Sequence, residues 1–314
     1  MDISVVLPIY NEKELVGPLY TSLRAALDRL ALEYELIFVN DGSVDGTVAV
    51  LLDIVNADAR VTVIELTRNF GNQMAIATGL EFATGQWVVT MDSDLEDRPE
   101  DIEKLYRKAQ EGYDVVYAVR GSEHKSFLKD LGSRIFYFLI GKISAINLPR
   151  NSGNFCIMRQ EVVKALRRLS ERNRYFTGLR SWVGFSQAGL DLPRWKRPAG
   201  SPKQSYPRLI KHASDAIFSF STAPLKLLTV LGTLAFLFAL LFAGVVIVFR
   251  LVTPGVPVGW ASTMVVIVFV GGIQLIGLGI LGEYLARIYD EVRGRPMSLV
   301  KRVTRSESHA GIQK

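Results

Sequence analysis

The chain has 314 residues, 49% of them hydrophobic, and its 37 Lys and Arg against 31 Asp and Glu give a net charge of +6. That length buries one large core with residues to spare. One cysteine, Cys156, excludes disulfides and zinc clusters, and three scattered histidines argue against a His-based triad or metal site.

Strand and helix signals alternate through the first 120 residues. ISVVLP, YELIFVN, VTVIEL, QWVVTM and DVVYAV read as buried strands rich in Val and Ile, with helical patterns between them near 12–30, 46–56, 71–84 and 99–111. This alternation predicts an α/β fold, a mostly parallel sheet with helices on both faces. Ligands of such sheets bind beyond the C-terminal strand ends. Four polar motifs fall there: Pro8-Ile9-Tyr10-Asn11-Glu12, Asn40-Asp41-Gly42-Ser43, Arg68-Asn69-Phe70-Gly71 and Asp92-Ser93-Asp94. No G-x-G-x-x-G follows the first strand, which argues against a dinucleotide fold. The stretch Gly42 to Thr47 lacks the lysine of a P-loop, which disfavours NTP hydrolysis.

The last of these motifs is the most informative. The run Trp87 to Met91 delivers Asp92 and Asp94 one residue apart, on one side of an ending strand. Two hard oxygen ligands suit a Mg²⁺ or Mn²⁺ ion that also holds substrate phosphates, and Glu96 continues the spacing as a third ligand or a water-holder. The plainer reading is an acidic turn before the helix that starts near Pro99, a role that suits Asp97.

The chain changes character towards its C-terminal end. Residues 206–221 carry Leu209, Ile210, Ala213, Ala216, Ile217 and Phe220 at near-helical period, which predicts an amphipathic helix lying in a membrane interface. Leu227 to Phe249 holds no charge over 23 residues and Leu251 to Gly282 none over 32, so each run is long enough to span a bilayer. Spans near 227–249 and 260–282 would form a hairpin closed by the Pro- and Gly-containing stretch RLVTPGVPVG. Gly271, Gly272, Gly277, Gly279 and Gly282 would allow close span packing and leave room for a homo-oligomer.

The expected organisation is a catalytic domain over 1–205, the amphipathic helix over 206–222, the hairpin over 223–283 and a basic tail over 284–314. Lys203, Arg208, Lys211 and Lys226 precede the hairpin, and Arg287, Arg293, Arg295, Lys301, Arg302 and Arg305 follow it, which predicts cytoplasmic termini. The N-terminal run has no basic n-region, so no signal peptide is expected. Residues 1–119 carry 9 Lys and Arg against 21 Asp and Glu, and residues 120–314 carry 28 against 10. A basic half beside a membrane suits the lipid bilayer or an anionic lipid substrate, and makes nucleic acid the poorest partner.

Taken together, VVLPIYNE, VNDGSVDGT, RNFGNQMAIATGL, MDSDLEDRPE, FSFSTAPLK and GEYLARIYDEVRGRP resemble, in order and spacing, the family 2 glycosyltransferases of GT-A fold. More narrowly, the chain is similar to the polyprenyl-phosphate glycosyltransferases. The resemblance covers nearly the whole chain, and its last two motifs, which flank the spans, are absent from soluble family members. It implies a nucleotide-sugar donor, with UDP-hexose favoured, a polyprenyl phosphate acceptor such as undecaprenyl phosphate, and inversion at the anomeric carbon. By the same resemblance Pro8, Tyr10, Glu12 and Arg68 lie beside the nucleotide, and Asp41 binds its base. Asp92, Asp94 and Glu96 match the metal-binding stretch, Arg120 and Arg134 the basic residues near the phosphates, and Arg194, Arg197 and Lys203 the acceptor-binding stretch.

Two departures from the family pattern stand out. Asn151-Ser152-Gly153-Asn154-Phe155-Cys156 carries amides at two places where the family carries aspartates, and Pro202-Lys203-Gln204 replaces a usual S-K-Y. The first change removes a residue often proposed as the base. A hydroxyl acceptor would need one, but a phosphate monoester, with its second pKa near 6, arrives as an anion and needs positioning instead. Asn154 can orient it. A processive polysaccharide synthase is disfavoured by the presence of only two spans and no Q-x-x-R-W motif. A non-catalytic sugar-nucleotide-binding membrane scaffold is the alternative that the two amides leave open.

Overall fold

The computed structural model describes residues 1–120, 152–169, 171, 174–193, 195, 223–252 and 259–306. The first half alternates as its composition demands: β1 (Ile3–Ile9), α1 (Lys13–Asp28), β2 (Tyr34–Asn40), α2 (Thr47–Ala57), β3 (Val61–Leu66), α3 (Asn72–Phe82), β4 (Trp87–Thr90), α4 (Asp101–Ala109) and β5 (Val115–Arg120). Then come β6 (Ser152–Arg159), α5 (Gln160–Arg167), α6 (Phe176–Trp182) and β7 (Gln187–Leu192). The described chain closes with two long helices, α7 (Ala223–Val252) and α8 (Trp260–Val292), and a last strand, β8 (Val300–Arg305).

All these strands join one sheet in the order β7-β5-β6-β4-β1-β2-β3-β8. The centre is parallel, with β1 between β2 and β4 and β3 beyond β2. Strand β6 is inserted antiparallel between β4 and β5, and β7 runs parallel to β5. Period-2 alternation divides β1 between two cores. Ile3, Val5, Leu7 and Ile9 pack with α1, α2 and α4, while Val6 packs with α3, α5 and α6. Pro8 is buried in a central strand, a position usually closed to proline. Here the β4 pairing ends at Val6 opposite Thr90, and Pro8 alternates towards that vacated side, where no ladder N–H is required. An added Cβ at Gly79 would collide with Val6 and Val39, so α3 lies close against the sheet with its N-terminus over the strand ends.

The C-terminal stretch departs from expectation in one respect. The segment expected to be a basic tail is helix as far as Val292 and then an edge strand: β8 pairs antiparallel with β3, Thr62 opposite Arg305 and Leu66 opposite Val300. The Arg302 Nε donates to the Glu65 carboxylate at 2.8 Å, and the Thr67 N–H to the Leu299 carbonyl at 2.9 Å. A buried β3 with an open edge needed a partner, and the largely exposed V-K-R-V-T-R supplies one, with Arg302 set against Glu65. Within α7 and α8, Pro224–Val245 and Val265–Val292 are long and apolar enough to cross a membrane, and at most 6% of either is buried. Gly277 meets the Leu228 side chain of the facing helix, while the other glycines of that stretch meet nothing within 4 Å. The expected amphipathic helix over 206–221 lies outside the described residues.

Candidate active site

Strands β1 to β5 all end at the same edge of the sheet, where β6 and β8 begin, and the motif-bearing loops are knitted together there. The first two loops exchange hydrogen bonds: the Asn11 N–H donates to Ser43 Oγ at 2.9 Å, and the Val44 N–H to Asn11 Oδ1 at 2.9 Å. The Glu12 N–H donates to Thr47 Oγ1 at 3.1 Å, which fixes the start of α1 beside the start of α2. Gly42, at φ +70°, lies so close to the third loop that a Cβ would stand 2.5 Å from the Arg68 carbonyl carbon. Only glycine lets these backbones cross. Asn11 and Leu95 hold left-handed conformations at φ 52° and 57°, both in site loops, where strain of this kind collects.

Asp41 is the clamp between the second and third loops. It is 2% exposed, and its two oxygens accept the Phe70 and Gly71 N–H groups at 2.7 and 2.9 Å. Burial pushes its carboxyl above the usual carboxylate range, and the two backbone N–H groups oppose that rise. Contact with a nucleotide base, as the family resemblance implies, would have to use the lone pairs this clamp leaves. Arg68 is exposed, with its guanidinium over the Phe70 ring at 4.1 Å. Tyr10 is 38% exposed at the end of β1, and Glu12 is half-buried beside it.

The D-x-D loop is tied in by amides. Asp92 Oδ1 accepts the Asn72 amide at 3.0 Å and the Asn154 amide at 3.2 Å. Asn154 stands beside Asp92 because β6 pairs Cys156 with Thr90, so two residues further along the ladder the same register meets. Asn154 Oδ1 in turn accepts from Gln73 Nε2 at 3.5 Å, and Gln73 Oε1 accepts the Phe176 N–H of α6 at 2.8 Å. Sequence reading missed Asn72 and Gln73, although both stand at the start of α3 directly after the R-N-F-G motif. Asp94 Oδ1 accepts the Glu96 N–H at 3.2 Å.

Among the described residues no three His, Cys, Asp or Glu side chains form a group that could hold a metal ion by themselves. Asp92 and Asp94 remain a fit for Mg²⁺ or Mn²⁺. Both are hard oxygen donors, half-buried, and the amides engage Asp92 through Oδ1. Two carboxylates completed by waters and substrate phosphates are an ordinary set for such ions.

Arg120 ends β5 at this same edge, paired in register with Leu192. Arg134, Asn151, Arg194, Arg197 and Lys203 lie outside the described residues. Trp195, between two of them in sequence, donates its N–H to the Glu96 carbonyl at 3.0 Å and stacks under the Arg98 guanidinium at 3.2 Å. The structure therefore brings together the ends of β1 to β4, Asn154 and Trp195.

A D-x-D pair set among loops at the C-terminal edge of an α/β sheet fits a sugar-transfer class of site, and sequence comparison agrees. Residues 4–167 match the glycosyl transferase family 2. An uncharacterized glycosyltransferase of Synechocystis is 42% identical over 96% of this chain and 95% of its own length. A prophage-derived bactoprenol glucosyl transferase of Shigella flexneri is 38% identical over 99% of each chain. Among solved structures, mannosyl-3-phosphoglycerate synthase from Rubrobacter xylanophilus superposes with a TM-score of 0.48 at 18% identity, covering 68% of this chain and 71% of that one. The chain belongs to glycosyl transferase family 2. It is a glycosyltransferase.

Proposed function

We propose that this protein transfers a sugar, with inversion, from a nucleotide-sugar to a polyprenyl phosphate at the cytoplasmic face of a membrane. One observation carries the reading: the likeness to a bactoprenol glucosyl transferase spans 99% of each chain, so it runs through both apolar helices and β8 and does not stop at the catalytic sheet. A soluble acceptor would leave those helices without a purpose.

On this reading the nucleotide occupies the loops around Pro8, Tyr10, Glu12, Asp41 and Arg68. Asp92 and Asp94 would hold Mg²⁺ or Mn²⁺, which supplies neutralisation of charge on the departing diphosphate. The amides of Asn72 and Asn154 fix Asp92 so that its carboxylate does not have to reorganise during reaction. The acceptor phosphate is its own nucleophile, being ionised above pH 6, so Asn154 in place of an acid is compatible with turnover. Arg120, Arg134, Arg194, Arg197 and Lys203 would draw the two phosphate-bearing substrates together, and the bilayer would present the lipid. UDP-hexose is the donor that the family resemblance favours.

Incubating the purified protein with a panel of nucleotide-sugars and undecaprenyl phosphate, then weighing the lipid product, tests the reaction. One glycosylated lipid phosphate is expected. Donor binding without any glycolipid would favour the scaffold alternative. For orientation, a Gly255→Cys variant should react with an impermeant thiol reagent in intact cells and a Ser308→Cys variant should not. The native Cys156 is buried, so it adds little background.

A further inference from the structure

Among the described residues Arg180 is the one buried cation, with no accessible surface at all. The buried carboxylates Asp58, Glu65 and Asp101 each have a cationic partner, Asp41 has two backbone N–H groups, and Asp97 is engaged as well. Among the described residues no carboxylate pairs with Arg180. Its Nη1 reaches the Gly153 carbonyl at 3.4 Å, and its guanidinium lies over the Tyr117 ring at 4.6 Å. Its Nε and Nη2 have no hydrogen-bond partner among the described residues. Those two nitrogens form one edge of the guanidinium plane, the edge that presents two parallel N–H groups to a phosphate or carboxylate. A buried charge kept without a counter-ion is costly, and evolution rarely keeps one idle.

The position of this edge limits what the counter-ion can be. Gly153 precedes Asn154, which holds Asp92. Helix α6, which carries Arg180, is pinned at its first residue to Gln73, and Gln73 to Asn154. Tyr117 and Cys156 are paired in register, and both pack on the α3, α5 and α6 face of the sheet. The guanidinium therefore sits next to the D-x-D site, and the anions that enter that site carry phosphate.

We propose that the Nε–Nη2 edge of Arg180 receives a phosphate group of a substrate during glycosyl transfer. The proposal rests on the reading given under Proposed function and adds a phosphate-binding residue to it. Because the side chain is closed to solvent, binding includes displacement of whatever covers it.

The test uses the full-length protein with Arg180→Met, which removes the charge, and Arg180→Lys, which keeps the charge and loses the two-pronged edge. KM is measured for each substrate with the other saturating. Thermal unfolding is followed without ligand, with UDP and with inorganic phosphate. The expected result is a rise of about tenfold or more in one KM for Arg180→Met and a smaller rise for Arg180→Lys. Unliganded Tm should stay level or increase in Arg180→Met, since an unpaired buried charge has been removed. A raised donor KM with loss of the UDP-induced shift assigns the edge to the diphosphate. A raised acceptor KM with that shift intact assigns it to the lipid phosphate.

Both KM values within twofold of wild type would overturn the proposal, as would a fall in unliganded Tm with both unchanged, the mark of a purely packing role. If Arg180→Met does not fold, Arg180→Lys decides alone on the same criterion. A wild-type protein that makes no glycolipid would instead sink the proposed reaction, and the UDP and phosphate shifts would then decide Arg180 separately.

Discussion

The two ends of the central sheet are built to opposite rules. At the end where β1 to β4 begin, polar groups satisfy one another. Ser4 Oγ donates to Glu35 at 2.6 Å and accepts the Gly85 N–H at 2.7 Å, and Glu35 also accepts the Thr84 hydroxyl. Nearby, Asp58 accepts from Arg60 and Tyr20, and Arg60 reaches on to Asp28. At the other end, where the strands finish, Asp92 is held by two neutral amides, Asp41 by backbone alone, and Arg180 keeps two nitrogens unengaged. At the first end these carboxylates are paired and stabilise. The second leaves charge incompletely matched, which is what a site for anionic ligands and a cation requires.

The largest expected contrast comes from Asp92→Asn. It should lower transfer by about a thousandfold, the scale of losing a main electrostatic contributor at the reacting centre, while unfolding stability moves by less than about 0.5 kcal/mol. EDTA should imitate it, and Mg²⁺ or Mn²⁺ should reverse the chelator but not the mutation. Full activity in chelator would remove the metal from the site.

At the opposite end the expected effect is on stability. The Asp58 carboxyl is lowered to about 2, chiefly by hydrogen bonds from Arg60, against an unfolded value of about 3.9. A depressed carboxyl contributes stability that is complete above pH 4 and is lost as pH falls towards 2. The amount is about 2 kcal/mol. Thermal melts between pH 5 and pH 2.5 should show this loss in wild type and a shallower one in Asp58→Asn. That variant should keep wild-type KM and kcat at neutral pH, and altered kinetics would blur the division between the ends.

The smallest expected effect is that of Asn154→Ala, about fivefold in kcat, since an orienting hydrogen bond worth roughly 1 kcal/mol is lost. Its pH–rate profile should still follow acceptor ionisation near pH 6. Abolished activity would show that Asn154 does more than hold Asp92.

What could be read in advance followed the same division. Strands β1 to β5 are continuous Val and Ile runs, because a parallel strand buried on both faces leaves no polar alternation to misread. Strand β6 opens with Ser152-Gly153-Asn154, which carries little strand signal, and β8 is rich in cations, so it reads as a tail. Their pairing depends on partners far away in sequence. Asp92 and Asp94 were legible because spacing alone puts them on one side of a strand end. Asn72, Gln73 and Arg180 were not, since an amide at a helix start resembles a cap and a lone arginine in a short helix resembles a surface residue. Only the tertiary fold reveals that one pair grips the D-x-D network and the other residue is buried.

Strand β8 also has a consequence for how the molecule is made. Arg302 meets Glu65 across a separation of 237 residues, and both long apolar helices lie between them. During synthesis β3 emerges early, and its outer edge waits while both long apolar helices are translated. The sheet gains its last strand only after that. Completion of the catalytic sheet is thereby placed after both apolar helices, so a chain that stops short of β8 is left with an exposed strand edge that chaperones and proteases recognise.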